Sequence, residues 1–565
     1  MRFAFRLVVA VVVTLGLLTA TAAAQDQSRR MERLFASPNQ AVNSDFAFWG
    51  DHAFSGYYTG DTGTPAGTAP RGGVRVFDIS NPASPQLVKN IECDGLQADP
   101  IVWDRNGNGV ADLLLLAVDR TMSGPDCGDP RSFNPDGTAF HEDPNGWEGV
   151  RVFEMSDDPD NPFETVEQVD AQYTDCGAHT ITAWTGHAHD PVDPRLVVYV
   201  SSYPLRPGPT CGVTGSAPTL PHMNTNNPFE DPSDRQVEKP LHEVIQVLEV
   251  PLNNPQATAE IAEPALSYPG DPDGKQDWTE KGLTGLEPAA IACHDIVTHM
   301  EHNIAGAACA EQGQIWNIDP DTGIPDTMNP ITIGDDELSS GGTGQLPGAV
   351  DFFHSVMFNN DGTIVNWVDE SFGSGCPTMT TYQPRPWNPA GGTHKTGSMF
   401  FTDLEGNFLS EFNVGDRRPD TTEGEYCSAH MGMTVAGIKR DLLVNAWYTG
   451  GTDVIDFSRP KRLREIAYYD PDTLTGHWSS YPYTGPLFRK RGGVPVYVSD
   501  GVEDPINAQG MEVYRAKIQT PSRRNLMDHM NPQTMDHTVM GGDGDDDDDD
   551  DDDDDRGKGG RGDDD

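Results

Sequence analysis

Apolar and polar residues alternate in short runs along most of the chain, and the runs are rich in β-branched and aromatic side chains. Residues 45–49, 52–58, 73–80 and 86–91 form the first group of such runs, separated by stretches rich in Gly, Pro, Asn and Asp. A period of two with turn residues between the runs predicts strands. The third run, 73–80, is the easiest to follow. It returns at 149–156, 244–250, 313–318, 397–402, 451–457 and 510–516, seven copies in all. Four-stranded units at a period of roughly 40 residues or more predict propeller blades, because one unit cannot bury both faces without neighbours. The expected fold is all-β, a seven-bladed β-propeller of four-stranded antiparallel blades over residues 43–520. The last unit lacks a fourth strand after Ile518, and the apolar patch at 31–35, within the segment 26–42, is expected to supply it and close the ring.

A histidine recurs at the start of the first run of several units: His179, His294, His354 and His430, with a looser echo at His477. In a propeller the first strand of each blade lies innermost and all of them run the same way. Residues at their starts therefore gather at one mouth of the channel. Converging neutral imidazoles suit copper, iron or zinc. A solvated or ligand-facing polar mouth is the other reading. The insertions at 121–148, 204–242, 266–289 and 372–395 open on the same face, because antiparallel pairing sets the end of a second strand beside the start of a first. His299, His302, His187 and His189 fall in turns between first and second strands and are expected at the surface.

The eight cysteines include no Cys-x-x-Cys pair, which suits disulfides in an oxidising compartment better than thiolate metal sites. By unit register, Cys93 would pair with Cys127, Cys176 with Cys211, Cys293 with Cys309 and Cys376 with Cys427, on the histidine face; other connectivities remain open. Residues 1–25 combine a basic start, an apolar run too short for a membrane helix and small residues for cleavage, the pattern of a secretory signal. A secreted, periplasmic or surface-held monomer without a membrane span is expected. The formal net charge of −50 argues against nucleic acid as a partner. Part of that charge lies in the segment 521–565, which carries an unbroken aspartate run and is expected to be a disordered acidic tail.

Residues 73–88 resemble the LVIVD-repeat family of bacterial surface and secreted β-propellers, with a good echo at 149–162. The resemblance implies the fold far more firmly than an activity. The register of His354, ahead of Asp361-Gly362, is similar to that of YVTN-type and selenium-binding-protein (methanethiol oxidase)-like propellers, where the histidine faces the channel. Carotenoid oxygenases, which hold iron with histidines from different blades, are similar in arrangement alone. Residues 104–112 resemble the FG-GAP/VCBS calcium loop, with Asp104, Asn106, Asn108, the Val110 carbonyl and Asp112 as oxygen ligands for Ca2+. A cation-free turn rich in Asp and Asn is the alternative. Two functions stand at this point. One is a metal-binding protein, as a metal-dependent oxidoreductase would be, taking a small molecule under the long loops. The other is a non-enzymatic adhesion module that binds a surface ligand through the loop face.

Overall fold

The computed structural model describes residues 27–37, 42–58, 72–93, 97–129, 147–174, 177–202, 220–221, 238–239, 244–266, 292–309, 312–334, 350, 353–370, 380–381, 393–394, 397–414, 427–471, 476–485, 492–500, 510–522 and 525–536. The signal segment, the aspartate run, Cys176, Cys211, Cys376 and most of the expected loop cover lie outside the described residues. Among the described residues the fold is all-β, with helix confined to short 3-10 turns such as Pro255–Ala257 and Met300–His302.

Four-stranded antiparallel sheets repeat along the chain. The first holds Val42–Trp49, His52–Tyr58, Gly73–Asp78 and Gln86–Glu92 in sequence order. Similar sets begin at Gln97–Trp103, Thr180–Trp184, Asp295–His299 and Phe353–Phe358, and a nine-stranded sheet contains the sets that begin at Met431–Thr434 and His477–Pro482. In that sheet the two sets are joined by a short parallel pairing of Met431 with Ser479.

Burial explains the strand order within each set. Thr180–Trp184 is buried at every position, and Leu113 to Leu116 in the neighbouring second strand read as a continuous apolar run because both faces are covered. Fourth strands such as Gln86–Glu92 are mostly exposed and carry Lys89 and Glu92 at the rim. First strands pack against one another in sequence, from Val42–Trp49 through Gln97–Trp103 and onward to His477–Pro482, which packs back on Val42–Trp49. Phe46, Phe48, Tyr481, Tyr483 and Tyr497 fill that last junction, with Phe48 and Tyr483 rings stacked at 4.6 Å. Met31–Ala36 pairs antiparallel with Met511–Ala516.

The C-terminal segment differs from the sequence expectation. Residues 525–536, expected to belong to a disordered tail, instead cross the ends of four first strands. His529–Met530 pairs with Phe48 and Trp49, and Thr534–Met535 runs parallel to Thr298 and His299. The Asn531 amide donates to the Val102 carbonyl at 3.0 Å and accepts from the Val102 N–H at 2.8 Å, and the Thr534 hydroxyl accepts from the Ala183 N–H at 3.2 Å. The physical reason is that these polar residues satisfy main-chain groups that inner strands leave unpaired at the channel. His299 is a further correction: it is fully buried, with its ring 4.9 Å from His302 and its Nε2 3.2 Å from the Asn360 carbonyl.

Candidate metal centre

The strand register brings all four expected histidines to one place. His179, His294 and His430 immediately precede Thr180–Trp184, Asp295–His299 and Met431–Thr434, and His354 is the second residue of Phe353–Phe358. All are buried, at 1–5% exposure. Their rings follow one another at centroid distances of 4.3 Å from His179 to His294, 3.9 Å from His294 to His354 and 4.1 Å from His354 to His430. His477 stands in the same register but turns elsewhere. Its Nδ1 lies 2.8 Å from the Thr452 hydroxyl and its Nε2 3.4 Å from a Glu512 oxygen.

Two carboxylates that sequence reasoning did not single out complete the cluster. Glu370 follows the second strand Ile364–Asp369, and its oxygens lie 3.4 Å from His354 Nε2 and 3.9 Å from His430 Nε2. The Tyr448 hydroxyl donates to the same carboxylate. Asp119, near the end of the second strand Leu113–Ser123, holds His179 Nδ1 at 2.7 Å. Glu370 follows the end of its second strand and Asp119 ends the apolar run of its own, positions that antiparallel pairing places near the start of first strands. A polar residue closing an apolar second strand was the available signal. His354, Glu370 and His430 each offer one donor atom, and those atoms lie within 4.8 Å of one another, close enough to share an ion.

The protonation states suit ligation. Burial, followed by the neighbouring imidazoles, pushes His294 and His354 well below the usual histidine range. Burial also pushes His430 down to about 3, although the Trp478 carbonyl opposes it. His430 Nδ1 lies 2.6 Å from that carbonyl, so Nδ1 carries the proton. Its Nε2 is buried without a hydrogen-bond partner and faces Glu370. A proton fixed on one ring nitrogen by a carbonyl, with the other nitrogen's lone pair left available, is the usual state of a metal-ligating imidazole.

The same shifts make the fold acid-sensitive. An unfolded histidine titrates near 6.5, above the folded values of these three, so the unfolded chain binds more protons below that pH. Stability is fully present above about pH 6.5 and falls as pH drops toward the folded values. With a chelator present, the urea midpoint should fall between pH 7.5 and 5 by an amount equivalent to about 2 kcal/mol per buried imidazole. His430→Gln should flatten that slope.

In the loop 104–112 the expected oxygen donors are engaged by backbone N–H groups and by Arg105. Asp104 Oδ1 accepts from the N–H groups of Asn106, Gly107 and Asn108, and its Oδ2 from Gly109. The Asn106 and Asn108 side-chain oxygens accept from the Asn108 and Val110 N–H groups. The Asp112 carboxylate is taken by the Arg105 backbone N–H and guanidinium, each at 2.9 Å. The turn is thus capped by its own side chains, and its ninth-position carboxylate is paired with Arg105. Asp104→Ala should cost about 2–3 kcal/mol, equally with calcium and with chelator, in chemical denaturation.

On the same face as the histidines, Cys93 is bonded to Cys127 and Cys293 to Cys309. Cys427 is also disulfide-bonded. Disulfides fit an oxidising, extracellular setting, and among the described residues no helix is long and apolar enough to cross a membrane.

No family model matches the chain, and no curated protein matches it by sequence. Solved structures with a similar course include Saccharomyces cerevisiae Sqt1, at 8% identity, covering 88% of this chain and 100% of that one with a TM-score of 0.41. The WD40 repeats of RRP9 are similar at 7% identity, covering 87% of this chain and 99% of that one with a TM-score of 0.40.

Proposed function

We propose that the channel mouth is a transition-metal centre in which His354, His430 and Glu370 bind the ion directly. His294 is the next imidazole in line, and His179, oriented by Asp119, stands behind it. The observation that carries this reading is the convergence of two neutral imidazoles and one carboxylate on a common point, with the His430 lone pair turned inward. Two histidines and a carboxylate with open positions are the pattern of non-haem iron sites, and zinc and copper accept the same donors. A redox-active metal bound there would supply oxidoreductase chemistry.

Around it the chain's own residues set the conditions. The Tyr448 hydroxyl fixes the Glu370 carboxylate, and the Trp478 ring walls His430 at a centroid distance of 4.3 Å. The segment 525–536 crosses the other end of the inner strands, so a small molecule would enter from the histidine side, beneath the long insertions. We further infer that the repeated sets form seven blades, that Met31–Ala36 supplies the outer strand of the last, and that the protein is an exported monomer. Elemental analysis of protein purified without an affinity tag tests the centre. About one equivalent of iron, copper or zinc should be present, and His354→Ala and His430→Ala should each remove it. A fold that takes up no such metal under any loading condition would return the reading to a metal-free binding module.

A further inference from the structure

Below the histidines, three carboxylates enter the channel from three different first strands: Asp45, Asp99 and Asp295, at 3%, 1% and 0% exposure. They sense one another's charge. Burial, then the neighbouring Asp45 carboxylate, holds Asp99 well above the usual carboxylate range, with Asp295 adding to the effect. Tyr481, which donates to Asp45 Oδ1 at 2.8 Å, feels all three.

Their hydrogen bonding is incomplete in one direction. Asp99 Oδ2 accepts from the Ile181 N–H at 2.9 Å, whereas Asp99 Oδ1 has no hydrogen-bond partner. Asp295 Oδ1 is 3.5 Å from the Thr180 hydroxyl, the Ile296 and Val356 N–H groups also approach this carboxylate, and its Oδ2 has no closely aligned partner. A fourth oxygen arrives from the C-terminal segment. Gln533, at 1% exposure, donates through Nε2 to Asp45 Oδ2 at 3.1 Å and leaves its buried Oε1 without a partner. Gln533 and Asp295 line one narrow gap, too tight for a free water molecule, together with Ser355, Asn366 and Asn445. Asp295 and Gln533 thus line one gap with an unpartnered oxygen each, and Asp99, linked to the same strands through Ile181, carries a third.

We infer that this layer is a second cation site, distinct from the histidine cluster, that binds a hard divalent cation of the calcium class through Asp99, Asp295 and the Gln533 carbonyl, with Asp45 alongside. An uncompensated carboxylate in the interior costs several kcal/mol, and no Lys or Arg is among the groups bonded to these three acids. Oxygen-only donors select calcium or magnesium over the metals that imidazole prefers, and calcium tolerates irregular sets of six to eight oxygens. The site would also explain why the C-terminal segment is anchored from within: its Gln533 would become a ligand.

Thermal unfolding of the full chain in millimolar calcium and in excess EGTA provides the test, since binding to the native state alone raises the midpoint. Wild type should gain about 2–5 °C in calcium. Asp99→Asn and Asp295→Asn should abolish that gain, while Asp104→Ala should keep it, which separates the channel from the turn at 104–112. A wild-type midpoint indifferent to calcium, with both Asn variants as stable as wild type or more so, would show that the acids are simply protonated. A calcium gain retained in both Asn variants would place the ion elsewhere, and either result overturns the assignment. Transition-metal content, measured separately, reports on the histidine centre whichever way this test falls.

Discussion

A chain that stops after Thr520 should lose at least about 5 kcal/mol of stability, or fail to accumulate as a soluble fold, whereas a chain that stops after Asp536 should unfold at the wild-type midpoint. The difference between the two is the segment that closes the channel. Its bonds reach the ends of four first strands: the Gly50 N–H donates to the Asp528 carbonyl at 2.8 Å, the Thr298 N–H to the Gln533 carbonyl at 2.9 Å, the Ala183 N–H to the Thr534 hydroxyl at 3.2 Å, and Asn531 engages Val102 from both sides. The His529 ring is buried between Trp49 and Trp103, at centroid distances of 4.5 and 5.4 Å. Burial alone pushes that imidazole down, but Asp528 and Asp536 outweigh it and raise it to about 9. Its contribution is therefore fully present below the unfolded value near 6.5 and lost as pH climbs through about 9. Far-UV circular dichroism melts of the two truncations decide the matter, and equal midpoints would show that the segment is an ornament on a self-sufficient ring.

Removing the Glu370 carboxylate should have the second large effect. Glu370→Ala should weaken metal affinity at least a hundredfold, because it deletes a charged donor between two neutral imidazoles. Tyr448→Phe, which only frees the carboxylate to turn, should weaken affinity by roughly tenfold. Competition with a colorimetric chelator reads both values. Metal-free Glu370→Gln should be no less stable than wild type, since an isosteric amide relieves a buried charge. That outcome would separate a ligand from a structural acid.

How much of this was legible in the sequence depends on the range over which each feature is decided. The histidines stood out because a repeat places equivalent residues in equivalent positions, and each one opens a first strand. Glu370 and Asp119 escaped notice for the opposite reason. Each closes an otherwise apolar second strand, and its partner lies across the sheet or in the next sheet, 60 residues on in both the Glu370–His430 and the Asp119–His179 contact. Asp45, Asp99 and Asp295 read as single polar positions in strands, and nothing local shows that three strands aim them at one axis. The tail boundary was misjudged because residues 525–536 have the Asn, Pro and Asp content of a solvated segment, and their order comes from partners more than 200 residues away in sequence, such as Val102 and Ala183. At 104–112 the spacing of Asp and Asn is visible in the sequence, whereas the pairing of Arg105 with Asp112 depends on the folded turn.

Both proposed centres rest on one geometric fact: first strands converge, so whatever they carry at a given register is concentrated on the axis. Histidines at the first level bring neutral nitrogen donors together, and aspartates at the next bring hard oxygens. The central claim is that the upper level is a metal centre built on His354, His430 and Glu370. X-ray absorption at the metal edge of the loaded protein tests it most directly. The account predicts nitrogen and oxygen scatterers at roughly 2.0–2.2 Å with the multiple-scattering signature of imidazole, and loss of that signature in His354→Ala and His430→Ala. An unchanged spectrum in both variants, with the ion retained, would contradict it.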